Sequence, residues 1–191
     1  MKIAGHGQAK ILTPEEMSRL FTDGFTVNRD RALFGVCLYT AYRIAEACSM
    51  QALDVYEPVG GKVRSLILIR KRNTKGRLST RQMRTHPRLM ELLTAYRPPS
   101  SIIYLFPGRW GRSHIHPKAA DKLLRTACAR TELVGVSTHS FRRTALTTMA
   151  SAGVPLRVIQ EISGHQSLSA LQRYLEVTME QVSSAIETLR F

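Results

Sequence analysis

Four side chains between positions 139 and 174 have the types that act on a phosphodiester. His139 and Arg142 lie three positions apart in a run of good helix formers, which places both on one face of a helix. His165 follows a glycine, and Tyr174 comes nine residues later. Two imidazoles, a guanidinium and a phenol suit a phosphodiester better than a peptide or sugar bond, because its negative charge favours cationic hydrogen-bond donors.

The residues around these side chains predict the elements that position them. Gly153 ends a first helix, and Pro155 suits the first turn of a second one, which carries apolar residues at helical spacing and ends at a glycine. Ser167 is a candidate N-cap for a third segment that contains Tyr174. We therefore expect three short helices over residues 138 to 176, which return the phenol toward the imidazole and the guanidinium.

The rest of the chain predicts an α+β fold that is mainly helical, with one small antiparallel β-sheet. Thr13-Pro14-Glu15-Glu16 has the N-cap, proline and acidic residues of a helix start. Strands over 63 to 70 and toward Thr85 flank the turn Asn73-Thr74-Lys75-Gly76 and predict a β-hairpin. Further helices are expected over 30 to 39, over 87 to 97 and from 117, with a short extended run at 101 to 106.

The charge of the chain indicates a polyanionic partner. The 191 residues include 28 Lys and Arg but 14 Asp and Glu, a net charge of +14. Such an excess on a folded domain is typical of proteins that bind nucleic acid or an anionic surface. No acid lies between positions 62 and 88, so the predicted hairpin is a candidate nucleic-acid contact, with a solvated charged face as the alternative.

Other features of the composition argue against a membrane, a disulfide or a metal. No apolar run approaches the roughly 20 residues of a membrane span. Cys37, Cys48 and Cys128 lie in apolar patterns and are expected as buried thiols in a reducing, cytoplasmic setting. His114-x-His116 has no third ligand at a telling spacing, so we expect no metal site.

In chain order, five motifs resemble the active-site set of the tyrosine recombinase, or phage integrase, family. They are Arg43 in YTAYRIAEA, Lys75 in NTKGR, His139-x-x-Arg142 in THSFRRT, His165 in SGHQS and Tyr174 in LQRYLE. ILTPEEMSRL resembles the opening helix of that family's catalytic domain, so the resemblance covers nearly the whole chain. Ala41 stands where the family often has glycine and Arg143 where histidine is common, and neither departure removes a catalytic group.

The resemblance implies the fold of the DNA breaking-rejoining enzymes and site-specific recombination of double-stranded DNA through a 3′-phosphotyrosyl intermediate, without metal, ATP or another cofactor. It implies that Tyr174 is the nucleophile, that Arg43 and Arg142 bind the nonbridging oxygens, and that Lys75 protonates the leaving 5′-oxygen, with Lys71 as the next candidate. His139 would assist proton transfer at the nucleophile, His165 would donate to a phosphate oxygen, and Glu46 would orient Arg43. Without the resemblance, Arg43 and Glu46 would read as a surface ion pair. The expected DNA contacts are Arg70, Lys71, Arg72, Arg77, Arg81 and Arg143.

The expected organisation is a flexible lead-in over 1–10 and a single catalytic domain over 11–191, without an N-terminal core-binding domain. Whether the chain is a fragment or a compact recombinase stays open. In the tail, apolar residues recur at helical spacing, at Met179, Val182, Ile186 and Leu189. This stripe either folds back onto its own core or docks, as an exchanged helix over 178–191, on a neighbouring subunit of a tetramer synapsed on DNA, and a free monomer remains open.

Three other classes of protein share some of these sequence features. One is a DNA-binding protein of the same fold with little turnover, although this chain retains every catalytic side chain of the motif set. Another is a type IB topoisomerase that nicks and relaxes DNA, against which the spacing from His165 to Tyr174 and the short chain argue. The third, an RNA-binding module, is disfavoured by the few aromatic residues. A cytoplasmic, nucleoid-associated recombinase is the preferred interpretation.

Overall fold

The structure is a computed structural model that describes residues 9–70, 80–99, 101–172 and 179–189. The described elements confirm a mainly helical α+β fold. In chain order they are α1 (Pro14–Arg19), a π-helical turn (Leu20–Gly24), α2 (Asn28–Tyr39), α3 (Ile44–Cys48), a 3-10 turn (Ala52–Asp54), β1 (Leu66–Ile69), β2 (Arg81–Arg84), α4 (Pro87–Ala95), α5 (Pro117–Arg130), α6 (Thr138–Ser151), α7 (Leu156–Ser163), α8 (Leu168–Gln172) and α9 (Met179–Glu187).

Side-chain caps explain where several helices begin. At α1, the predicted N-cap is present as part of a capping box: the Glu16 amide donates to Thr13 Oγ1 (3.2 Å), and the Thr13 amide donates to the Glu16 carboxylate (3.1 Å). The His116 imidazole accepts from the Lys118 amide and caps α5 ahead of Pro117. One member of the His114-x-His116 pair is thus a cap. Among the described residues, no group of three or more His, Cys, Asp or Glu side chains could hold a metal.

The predicted hairpin is present. Strands β1 and β2 pair antiparallel, with Leu66 opposite Arg84 and Ile69 opposite Arg81. Ile67 and Ile69 are buried and attach the sheet to the core. The tip of the hairpin, residues 71–79, lies outside the described residues. In the run expected to be extended at 101 to 106, Tyr104 makes an isolated antiparallel bridge with Gln51.

The core centres on α2, against which α6 and α4 pack. Phe34 of α2 stacks on Phe25 with ring centroids 4.7 Å apart, and Phe141 of α6 lies 5.0 Å from Phe34 on a tilted ring plane. Because Phe141 directly precedes Arg142, this aromatic packing fixes the first turn of α6. All three cysteines are free and buried, as predicted, and burial raises the pKa of Cys128 to about 11.

Both ends of the described chain bear on an expectation from the sequence. At the end of the expected lead-in, the Ala9 carbonyl accepts from Arg143 (2.6 Å), and just after it the Leu12 amide donates to Thr144 Oγ1 (2.9 Å). At the other end, α9 confirms the predicted helix but does not fold its apolar stripe back onto the described part of the core. The exposed fractions are 76% for Met179, 40% for Val182, 64% for Ile186 and 62% for Leu189. No described helix is long and apolar enough to cross a membrane.

Candidate active site

Arg142 lies at the centre of the candidate site and is the largest of the fully buried side chains, with 1% of its surface exposed. Its Nη1 donates to the carbonyl of Ala41, in the turn between α2 and α3, and its Nη2 donates to the carbonyl of Ser163 (2.9 Å), at the end of α7. A hydrogen bond to a charged group contributes about 1.5–3 kcal/mol. The guanidinium therefore ties α6 to two segments that are remote in sequence.

The turn at Ala41 has the strained geometry that its position in the motif predicts. Ala41 is left-handed, with φ of +52°, a conformation that costs a residue with a β-carbon about 1 kcal/mol relative to glycine. Thr40 is the C-cap residue of α2, and its hydroxyl donates to the Val36 carbonyl (2.7 Å). The turn reverses the chain so that the Ala41 carbonyl meets Arg142 and Arg43 begins α3.

His165 packs against Arg142 and is 7% exposed. It follows Gly164, which ends α7 in the left-handed conformation at φ of +66°. Its Nε2 lies 3.1 Å from Arg142 Nη2, and its Nδ1 lies 2.7 Å from Ser163 Oγ. The Gln160 amide group donates to the His165 carbonyl (3.0 Å) and fixes the backbone.

Burial, together with the charges of Arg142 and Arg43, lowers the pKa of His165 to about 4. The ring is therefore neutral at pH 7, with one nitrogen that donates and one that accepts. A guanidinium can only donate, so the nitrogen that receives Arg142 is the acceptor. The hydrogen is then on the other nitrogen, Nδ1, which lies 2.7 Å from Ser163 Oγ.

Arg43 is oriented by a buried carboxylate. Its Nη1 donates to Glu46 Oε1 (3.0 Å), and its amide donates to Glu46 Oε2 (2.9 Å), which caps α3. The side chain of Glu46 is 6% exposed and that of Arg43 is 27% exposed. The surface ion pair that Arg43 and Glu46 suggest in isolation is therefore wrong: the carboxylate is inside, and the arginine reaches the rim of the site.

A small apolar cluster lies behind these polar groups. Ala41, Leu146, Ile159 and Leu171 are buried together and join the turn after α2 to α6, α7 and α8. Leu171 of α8 packs in this cluster and is 0% exposed. The cluster thus fixes the chain three residues before position 174.

The described residues contain part of the predicted set. Arg142 contacts His165, the charge of Arg43 acts on His165, and His139 lies exposed in the first turn of α6, one turn before Arg142. Lys75 and Tyr174, as well as Lys71, Arg72 and Arg77, lie outside the described residues, and Arg81 is described only as part of β2.

Two of the arginines expected to contact DNA have structural partners. Arg143 is 7% exposed and donates to the Ala9 carbonyl, so its guanidinium is inside the protein and not on an open DNA-contacting surface. Successive residues of a helix point about 100° apart, which directs Arg142 to the site and Arg143 to the N-terminal segment. Arg70 pairs with Asp54, whose side chain is 0% exposed, and remains one-third exposed itself.

Ser163 and Gln160 are site residues that motif reading misses. Ser163 contributes a carbonyl to Arg142 and a hydroxyl to His165, and Gln160 holds the His165 backbone. Backbone carbonyls carry no sequence signal. The available signal was that both side chains are polar and lie on the buried side of an amphipathic helix.

Comparison with known proteins identifies relatives of this chain. The sequence profile of the phage integrase family matches residues 10–181. The chain belongs to the phage integrase family. It is 31% identical over 187 residues to tyrosine recombinase XerA of Thermococcus onnurineus strain NA1, covering 95% of this chain and 63% of that protein. It is also 31% identical over 173 residues to tyrosine recombinase XerC of Myxococcus xanthus, covering 84% of this chain and 54% of the relative.

The integrase-family fold is found again in solved structures. A crystal structure of XerA recombinase superposes with a TM-score of 0.77 at 22% identity, covering 98% of this chain and 68% of that one. XerH recombinase, bound to palindromic difH substrate in a post-cleavage complex, superposes with a TM-score of 0.72 at 21% identity, covering 96% of this chain and 54% of that one. The chain thus spans only part of the length of these proteins.

Proposed function

We propose that this chain is the catalytic domain of a site-specific DNA recombinase that cuts and rejoins double-stranded DNA through Tyr174. The observation that carries the proposal is the contact between Arg142 and His165, close enough to Arg43 for its charge to act on the imidazole although 122 positions separate Arg43 from His165. A site with two guanidiniums and a neutral imidazole matches a phosphate in charge and in hydrogen-bond donors. The palindromic DNA bound to XerH, a protein of the same fold, supports duplex DNA as the partner.

In the proposed reaction, the Tyr174 oxygen attacks the phosphorus, loses its proton with the help of His139, and forms a 3′-phosphotyrosyl bond. The bond from phosphorus to the 5′-oxygen breaks, and Lys75 gives that oxygen a proton, so a free 5′-hydroxyl leaves. Rejoining is the reverse, with a 5′-hydroxyl as nucleophile. The covalent bond conserves the energy of the phosphodiester, so the cycle consumes no ATP.

The two arginines stabilise the charge that develops on the nonbridging oxygens, the task that metal ions perform in other phosphoryl-transfer sites. Arg142 is suited to this role because its carbonyl partners fix the guanidinium before DNA arrives. Arg43 is held by Glu46 at the rim. On DNA binding, His165 would exchange its contact with Arg142 for a phosphate oxygen, to which a protonated Nε2 would donate while Nδ1 accepts from Ser163 Oγ. No group in this scheme requires a metal or another cofactor.

Tyr174 lies three residues after Leu171, which the apolar cluster beside Arg142 holds in place. This is the support for placing the nucleophile at the site. The test uses a duplex with a nick just beyond the cleavage position, so that a short 5′-hydroxyl fragment diffuses away and traps the covalent complex. The wild-type chain should become attached to DNA in denaturing gels, and Tyr174→Phe should bind the duplex but form no adduct.

The same assay separates the alternatives. Binding without an adduct in the wild type would indicate a DNA-binding protein of this fold with little turnover. Adduct formation with relaxation of supercoiled plasmid, but without exchange between two duplexes, would indicate a type IB topoisomerase activity. An adduct that persists in Tyr174→Phe would move the nucleophile to another residue.

The role of Lys75 has its own test. Lys75→Ala should cleave poorly, and a substrate whose bridging 5′-oxygen is replaced by sulfur should restore cleavage, since a thiolate leaves without a proton. Arg43→Ala should gain nothing from sulfur, because its role lies at the nonbridging oxygens. If sulfur does not rescue Lys75→Ala, the acid is another residue, with Lys71 next in line.

We also propose that residues 178–191 form an exchanged helix that docks on a neighbouring subunit in a tetramer synapsed on DNA, at work on the nucleoid in the cytoplasm. The apolar stripe of α9 is open to solvent, and a helix with one uncovered apolar face gains stability by docking. Its place shortly after Tyr174 would couple docking to the position of the nucleophile. A head-to-tail contact of this kind closes into a ring.

A further inference from the structure

A second structure on the surface has the chemistry of a DNA contact, and it lies between α4 and α5. Residues 107–114 form a tight hairpin, closed by a bridge between Pro107 and His114. The Gly108 amide donates to the Ser113 carbonyl (2.8 Å), and the Gly111 amide donates to the Gly108 carbonyl (3.0 Å). Its tip, Arg109 to Ser113, is exposed along its whole length. We call these five residues the tryptophan tip.

The tryptophan tip is built to project rigidly. Gly111 adopts φ of +69°, which turns the chain sharply. A β-carbon at Gly108 would lie 3.1 Å from the His114 carbonyl oxygen, so the two arms lie close enough that a side chain there would push them slightly apart. At the base, the Ile115 amide donates to the Phe106 carbonyl (2.8 Å), and the Tyr104 ring meets the His114 ring edge to face.

Trp110 occupies the end of this tip and is 78% exposed. An indole usually buries 150–250 Å² of surface on folding, so an exposed one forgoes a large hydrophobic gain. The guanidinium of Arg109 lies 5.1 Å from the ring centroid in a cation–π contact, and Arg112 follows on the other side of the turn. An aromatic surface between two exposed cations matches a polyanion that also offers flat rings or sugars.

The positive charge of the sequence around the tip also favours a polyanionic partner. Between positions 58 and 120 the sequence holds one acid, Glu91, against 14 lysines and arginines. The tip and the β1–β2 hairpin lie in this one stretch. A protein partner would need an unusually acidic face to dock here, whereas nucleic acid supplies a phosphate at every nucleotide.

The tip is anchored near the candidate site but is not part of it. The Leu105 amide donates to the Met50 carbonyl (2.8 Å), and the Ala52 amide donates to the Ile103 carbonyl (2.9 Å), so its base is fixed just after α3. Arg43 caps the other end of α3, and five helical residues rise only about 7.5 Å. A duplex whose phosphate lies at Arg43 extends well beyond that distance on both sides.

We propose that the tryptophan tip is a second DNA contact, in which Arg109 and Arg112 bind phosphates and the Trp110 indole enters a groove and packs against a base or deoxyribose beside the cleavage position. Side chains of this kind hold and deform duplex DNA in minor-groove binders. The tip would fix the duplex relative to Arg43 and Arg142 and favour sequences that deform readily. This inference rests on the proposed function, because it requires duplex DNA as the substrate.

Trp110 is the only tryptophan of the chain, so its fluorescence reports on the tip alone. The experiment titrates Tyr174→Phe protein with a fluorescein-labelled duplex, following DNA anisotropy for binding and, in a parallel unlabelled titration, tryptophan emission and its quenching by acrylamide. At saturation we expect reduced emission and an acrylamide quenching constant at least twofold lower. Binding by anisotropy with unchanged emission and unchanged quenching would overturn this inference and leave the proposed function intact. Absence of binding in the anisotropy arm would overturn both.

Variants give an independent readout. Trp110→Ala should weaken duplex binding by about tenfold, in line with the loss of one aromatic contact to a base, and Trp110→Phe should recover most of it. Arg112→Ala should reduce the slope of log affinity against log salt by about 1. The matched control is Arg19→Ala, an exposed arginine of α1 between Glu16 and Asp23, whose loss should leave the slope unchanged. Trp110 is exposed, so thermal unfolding of Trp110→Ala should match the parent; an unchanged DNA affinity would overturn the inference.

Discussion

The candidate site buries a charged side chain, whereas helix α9 exposes apolar ones. At the site, Arg142 is 1% exposed, and its guanidinium donates to two backbone carbonyls and to a neutral imidazole. In α9, Met179 and Ile186 are more than half exposed although both are apolar. A buried cation favours an anion, and an exposed apolar stripe favours another protein surface. We therefore propose different partners for the two regions: DNA for the candidate site and a second subunit for α9.

The largest effect is expected at Arg142. Arg142→Ala removes the donors that stabilise the developing phosphate charge, so covalent cleavage of the nicked duplex should slow by on the order of 10²–10³-fold. Arg142→Lys keeps the charge, but an ammonium group lacks the planar guanidinium that donates to two carbonyls at once. Its cleavage rate should therefore lie between those of the wild type and Arg142→Ala. Rates are compared at equal folded fraction by circular dichroism. Cleavage by Arg142→Ala at the wild-type rate would remove Arg142 from the chemistry.

The second region should respond in the opposite way. Deleting residues 178–191 should leave cleavage of the nicked duplex largely intact and abolish synapsed complexes of two duplexes in native gels. A finer pair of variants is Ile186→Ser, on the apolar stripe, and Glu187→Ala, its exposed polar neighbour. The first should weaken synapsis and the second should not. Normal recombination by the truncated chain would exclude α9 as the assembly element.

An effect of intermediate size is expected from the pH dependence of His165. Its pKa is about 4 in the folded protein against an ordinary value of 6.5, so the unfolded chain takes up the proton first as the pH falls. The stabilising contribution is therefore complete above about pH 6.5 and is lost between pH 6.5 and 4, by at most about 3 kcal/mol.

Urea unfolding of the wild type and His165→Asn at several pH values measures this loss. Asparagine does not titrate, so the gap in unfolding free energy between the two proteins should shrink as the pH falls from 6.5 to 4. Two parallel curves across that range would show that His165 is not held neutral by its surroundings.

The smallest effect separates the two adjacent arginines. Arg143→Ala removes the hydrogen bond to the Ala9 carbonyl and should lower the free energy of unfolding by about 1.5–3 kcal/mol. Because Arg143 is buried, the salt dependence of DNA binding should not change. A reduction of about 1 in the slope of log affinity against log salt would mean that Arg143 contacts a phosphate, as the sequence alone suggests.

Sequence reasoning worked best where the signal was local. The N-cap of α1 at Thr13, the end of α7 at Gly164 and the antiparallel pairing of β1 with β2 all depend on residues close in the chain, and all were predicted. It gave no sign of the hydrogen bond between Arg143 and the Ala9 carbonyl, which are 134 positions apart. No local pattern distinguishes an arginine that faces DNA from one that holds a remote segment.

The sequence by itself determined the residue types, their order and the boundaries of most elements, because caps, glycines and apolar spacing act over a few residues. Only the tertiary structure decided which side chains are inside. The Arg142 contact with the Ala41 carbonyl spans 101 positions, and the neutral state of His165 follows from its burial beside Arg142 and Arg43. Burial and electrostatic environment are sums over neighbours from the whole chain, so they exist only once α2, α6 and α7 have packed together.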